Sequence, residues 1–216
     1  MKIILSALTL TAAVSAAASA DLIAGWTIPT AIPSGTTGTN YTYGAADQGV
    51  QTAGSSLSGF HALAATVWSS PAGNGSTHAL SSNTWSVGDY YQIVVSTLGY
   101  TDISLSWDQT RSGTGPSSFE LAVSTDGVAF TTLSSYTVGQ VSWSTGTPQS
   151  GSTQTLSDIV AASDSSTVYF RFVNLSTVAS GGTNRIDNIL VNGNLIPTPG
   201  AIALLGLAGL AARRRR

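Results

Sequence analysis

The sequence predicts an all-β fold, an antiparallel β-sandwich of jelly-roll type, and three observations carry that expectation. Apolar residues alternate with polar ones: Ile103, Leu105 and Trp107 point one way, and Asp102, Ser104, Ser106 and Asp108 the other. The 216 residues include 32 Ser, 28 Thr and 23 Gly, whereas only 8% are charged, against roughly 25% in an ordinary soluble domain. That leaves few of the residues from which surface helices are made, and argues against a helical bundle or a doubly wound α/β enzyme. Turn clusters cut the chain into short segments: Gly113-Thr114-Gly115-Pro116, Gly146-Thr147-Pro148 and Gly181-Gly182.

Taken in order, the segments 21–28 and 61–68 are weak strand candidates, and 90–98 is a stronger one. The alternation at 102–108 comes next. Phe119, Leu121 and Val123 alternate with Glu120, Ala122 and Ser124, and Val128 and Phe130 resume the pattern after Asp126-Gly127, so 118–133 reads as a hairpin. A further weak strand is expected at 136–143, and one or two helical turns at 155–162. Strands at 167–175 and 184–191 complete the set. About eight to ten short strands joined by Gly/Ser/Thr loops suit a sandwich. No repeat with a period of about 15 to 50 residues supports a solenoid or propeller.

The two ends read differently. Lys2 precedes an apolar run from Ile3 to Val14, then Ala18-Ser19-Ala20, which has the form of a secretory signal cleaved before Asp21. At the other end, Pro197-Thr198-Pro199 precedes an apolar stretch at 201–212 and then Arg213, Arg214, Arg215 and Arg216. As a helix that stretch is about 18 Å long, short of a hydrocarbon core of about 30 Å, and the arginines would stay on the cytoplasmic side. The expected organisation is a signal peptide at 1–20, a β-sandwich ectodomain at 21–195 and a tail at 196–216.

The tail resembles the PEP-CTERM sorting signal of bacterial surface proteins, a segment also labelled the ice-binding protein C-terminal domain. The resemblance implies transient anchoring in the inner membrane by the C-terminal helix, recognition by a membrane-embedded exosortase, and delivery to the envelope, cell surface or exopolysaccharide matrix. Thr198 departs from the pattern, whose middle residue is usually Glu.

Without the two end segments, Arg111, Arg171 and Arg185 stand against ten acids, a formal charge of −7. Such a surface disfavours nucleic acid and polyanions. The absence of cysteine excludes thiol catalysis and Cys-ligated zinc. His61 and His78 lack metal-site spacing, and 54–59 misses the Gly-x-Ser-x-Gly elbow by one residue. Asp102 and Asp108 share a strand face about 20 Å apart, too far for a glycosidase pair, and Glu120, the sole glutamate, faces outward. No catalytic residue, metal or cofactor is assigned.

Polysaccharide binding is the alternative to a purely structural role, because aromatic platforms with a few polar groups hold sugars. Trp68, Trp85, Tyr90, Tyr91 and Trp143 are the candidate platforms, each of which could equally be core, while Trp107 alternates with core residues. The segment 167–193 resembles the closing hairpin of secreted jelly rolls, carbohydrate-binding modules included. That resemblance implies a structural calcium site near Asp187 and Asn188. Asp187 could instead pair with an arginine or cap a turn. Asn40, Asn74 and Asn174 head glycosylation sequons. The expected function is therefore an exported, non-catalytic surface or matrix protein, with a carbohydrate-binding module as the rival and a hydrolase of unrecognised type as the third reading.

Overall fold

The computed structural model describes residues 20–197, which form two antiparallel six-stranded sheets packed as a sandwich. One sheet runs β10 (Thr153–Leu156), β7 (Tyr100–Arg111), β12 (Asn184–Leu195), β5 (Leu80–Ser82) and β4 (Trp68–Ser69), with β1 (Asp21–Trp26) also paired to β12. The other runs β2 (Asn40–Gly44), β3 (Ser56–Phe60), β6 (Tyr90–Val95), β11 (Val168–Asn174), β8 (Ser118–Ser124) and β9 (Thr131–Thr137). Only β2–β3, β4–β5 and β8–β9 are consecutive strands of one sheet; every other connection crosses to the opposite sheet, as in jelly rolls. Signal segment and tail lie outside the described residues apart from Ala20 and 196–197. Within the described residues no helix is long and apolar enough to cross a membrane.

The period-2 pattern decides which side chains meet. Ile103, Leu105 and Trp107 of β7 face Phe170 and Phe172 of β11 across the core, and all are buried. The Trp107 and Phe172 rings lie 5.1 Å apart between centroids. On β8, Phe119, Leu121 and Val123 turn inward as their alternation predicts. All five tryptophans are buried, so the core takes the largest apolar side chains that the chain has.

Several local expectations fail for identifiable reasons. The stretch 61–66 is no strand, for Thr66 N–H bonds back to Leu63 C=O in a turn; the longer strand lies earlier, at β3, and only Trp68 of the expected segment is strand, where β4 begins. Beyond β9 the segment 138–149 is loop, because Thr110 and Arg111 hold the backbone of 138–141 through hydroxyl, guanidinium and amide bonds. Residues 125–130 form the hairpin's connection, and Val128 is 85% exposed where alternation placed it in the core. The helical lean at 155–162 shrinks to one 3-10 turn, Val160–Ala162, after β10.

A bulge in β12 brings a carboxylate into the interior. Pairing with β7 slips between Asp187 and Leu190, where Asn188 takes a left-handed backbone with φ 46°. Ile186 and Asp187 are consequently both buried, although they are neighbours on one strand.

Candidate functional site

Four of the five aromatic candidates for sugar platforms do not meet solvent. Trp68, Trp85, Tyr91 and Trp143 are 1%, 3%, 0% and 8% exposed. Trp68 Nε1–H donates to Gly38 C=O, Trp85 Nε1–H to Ser82 C=O and Trp143 Nε1–H to Ser152 Oγ, so each indole is also satisfied internally. Tyr91 OH bonds to Ser82 Oγ and donates to Asn184 C=O, and burial pushes its phenol well above the usual value. Tyr90, one residue earlier, has the opposite parity and lies on the outside of its sheet.

That outer face gathers the half-exposed aromatics. Cross-strand register aligns Asn40, Phe60, Tyr90, Val173, Glu120 and Ser135 in one row. The next row is Thr42, Ser58, Gln92, Arg171, Ala122 and Thr132. Phe60 and Tyr90 stack at 4.9 Å and 26°. Arg171 projects outward because Phe170 and Phe172 project inward. Its guanidinium carbon lies 4.3 Å from the centre of the Tyr90 ring and 3.7 Å from that of Phe130. Arg171 Nε–H donates to Gln92 Oε1 at 2.8 Å, and Thr132 Oγ–H to Glu120 Oε2 at 3.1 Å. The face thus offers a stacked aromatic pair, a cation, a carboxylate, an amide and hydroxyls on rigid strands. Phe60, Phe130 and Arg171 were missed from sequence. Arg171 could have been found from its alternation with two phenylalanines.

A second cluster surrounds Asp187. Asp187 and Asp108 are register partners on β12 and β7, both buried, and neither pairs with an arginine. Asp187 Oδ2 accepts from Asn74 N–H and Ser76 Oγ–H. Asp108 accepts from the side chains of Asn74, Asn188 and Thr153. Burial pushes Asp187 up to about 6, its hydrogen bonds opposing and the charge of Asp108 adding to the rise. Asp187 Oδ1 is buried without a hydrogen-bond partner. Beside the cluster, Asn74, Ser76 and Asn188 line a cleft of ≈ 390 Å³. Two uncompensated carboxylates, an orphaned oxygen and an opening fit a hard cation, although no group of three acidic or histidine ligands converges among the described residues. Asn74 and Asn174, two of the sequon asparagines, are 2% and 0% exposed, whereas Asn40 is exposed.

A third arrangement has the residue types of a hydrolase. His61 Nε2 is 3.1 Å from Ser82 Oγ, and its Nδ1 is 3.2 Å from Asp89 Oδ2, in ion-pair range without hydrogen-bond alignment. The group is sealed inside: Ser82 is 1% exposed, and His61 packs on Trp68 and Trp85 with ring centres 4.9 and 4.3 Å away. Asp89 is occupied by Ala62 N–H and Ser86 N–H, and Ser82 Oγ by the Tyr91 hydroxyl. These bonds tie loops to the core and leave no path for a substrate.

No family model matches the chain, and no curated protein matches it. Similar solved structures include the K3 cleaved adhesin domain of Lys-gingipain from Porphyromonas gingivalis W83, at TM-score 0.45 and 13% identity, covering 80% of this chain and 99% of that one. A xylan-binding domain from CBM 22 has TM-score 0.45 and 12% identity, over 82% and 97%. TmCBM61, solved with β-1,4-galactotriose, has TM-score 0.39 and 10% identity, over 64% and 88%. At such identities the likeness is one of fold.

Proposed function

We propose that this chain is an exported, non-catalytic protein that binds polysaccharide on the outer face of the sheet β2-β3-β6-β11-β8-β9. The carrying observation is the Phe60–Tyr90 stack set among Gln92, Arg171 and Glu120. Sugar rings present apolar C–H faces and polar edges. The exposed rim of the aromatic pair receives those faces, and donors and acceptors on neighbouring strands fix the hydroxyls. Strands hold these groups to a fixed spacing of about 4.8 Å, so little ordering remains to be done on binding. The interior Ser82–His61–Asp89 group and the Asp187 cluster are scaffold in this reading. Asp187, through its unpartnered Oδ1, and Asp108 would hold a hard cation, which would supply charge neutralisation and nothing to the sugar contact. The export and sorting signals read from the sequence support action at the envelope or in the matrix, with an exosortase as the transient partner.

The test is affinity electrophoresis of the full chain through gels containing soluble polysaccharides, with Tyr90→Ala and Phe60→Ala alongside. The reading predicts retardation of the wild type by at least one polysaccharide and at least tenfold weaker binding by each variant, about 1.4 kcal/mol. Wild-type mobility unchanged in every gel, or variants retarded like the wild type, would overturn it.

A further inference from the structure

Arg171 is an unusual residue for an acidic domain to leave as it is. The described residues hold all ten acids of the chain, yet none forms an ion pair with Arg171. Its Nε–H is committed to Gln92, and the rings of Tyr90 and Phe130 lie against the guanidinium carbon. Its terminal N–H groups make no hydrogen bond to any described residue. Arginine has donors only, so these groups need acceptors, and ring contact leaves the edge of the guanidinium as their direction of approach. The edge of a guanidinium matches a carboxylate with two parallel hydrogen bonds.

Resting on the reading that this face binds saccharide, we propose that its ligand is a uronic-acid polysaccharide, with one sugar carboxylate held by the guanidinium edge of Arg171 while a neighbouring ring packs along the exposed rim of the Phe60–Tyr90 stack. A neutral sugar could fill the same donors with hydroxyls, but it would leave the partly desolvated charge uncompensated. The domain's net charge of −7 acts against polyanions at long range, and that repulsion is screened within about 8 Å at physiological salt. At contact distance the face presents Arg171. Glu120, one row away, is the like charge that a uronate must approach.

The experiment compares the full chain in gels containing uronans (alginate, polygalacturonate, hyaluronan) with gels containing neutral xylan, galactan and mannan. Arg171→Gln and Glu120→Gln are run beside the wild type, with matching thermal melts as the fold control. The proposal predicts retardation by a uronan at least tenfold stronger than by any neutral polymer. It further predicts loss of that preference in Arg171→Gln and stronger uronan binding in Glu120→Gln. Equal or preferential retardation by neutral polymers would overturn the charge assignment and leave sugar binding standing. Unchanged mobility in all six gels would overturn both. A uronan preference that survives Arg171→Gln would also overturn the assignment to Arg171.

Discussion

Asp126 opens the loop between β8 and β9, and its carboxylate is committed at short range. Oδ1 accepts from Val128 N–H at 2.8 Å, Ala129 N–H at 2.9 Å and Ser124 Oγ–H at 2.8 Å. These bonds hold its carboxyl below the ordinary value, the two backbone amides contributing first. Because the folded value lies below the unfolded one, the stabilisation is complete above the unfolded pKa and is lost as pH falls through the folded one. An NMR titration of the Asp126 carboxyl carbon should therefore give a midpoint under about 3.9, and Ser124→Ala should raise it. A midpoint at or above the ordinary value would refute the account. Gly59 makes a different single-residue prediction. It lies inside β3 where a Cβ would collide with the Trp68 ring, itself clamped by its bond to Gly38. Gly59→Ala should cost about 1–3 kcal/mol in a urea melt, and an unshifted midpoint would show that Trp68 can move.

At the scale of elements, β11 is central to its sheet and β12 to the other, so disturbances there spread furthest. Phe172 packs from β11 onto Trp107 of β7 and is 0% exposed. Phe172→Ala should cost about 3–5 kcal/mol, whereas Val173→Ala, on the outer face beside Tyr90, should cost much less. Equal losses would mean that the inner and outer faces are misassigned. In β12 the bulge at Asn188 turns the Asp187 carboxyl inward against Asp108. If that pair holds a hard cation, calcium should raise the melting temperature of the wild type by about 2–4 °C per kcal/mol of binding free energy, and chelator should reverse it. Asp187→Asn should abolish the response. A melting curve indifferent to calcium and chelator would leave the cluster as a hydrogen-bonded strut.

The whole molecule is where the tail matters. Intact mass of the native protein from envelope and matrix fractions should show a chain that begins at Asp21 and ends near Pro199. A mass that retains 200–216 would make the tail a lasting anchor and remove the exosortase from the scheme. Much of the sandwich was legible in the sequence because strands alternate with period two, a rule that needs no distant partner. Ile103, Leu105 and Trp107, or Phe119, Leu121 and Val123, could be assigned to one face on that rule alone. The short strands β2, β4, β5 and β10 carry too few residues for any period and exist only because a neighbour supplies the ladder. Aromatic exposure was illegible for a similar reason. Trp85 and Tyr91 on one hand, and Phe60 and Tyr90 on the other, differ only in which side of a paired strand or loop they occupy, and register decides that. By itself the sequence determined the fold class and the acidic charge of residues 21–195, both of them local or additive properties. Only the tertiary structure decided that Trp68, Trp85 and Trp143 are interior, that Asp187 meets Asp108, and that Arg171 stands between two rings with its terminal donors free. Those meetings join residues far apart in the chain, as Arg171 and Gln92 are at 79 positions, and no local rule reaches that far.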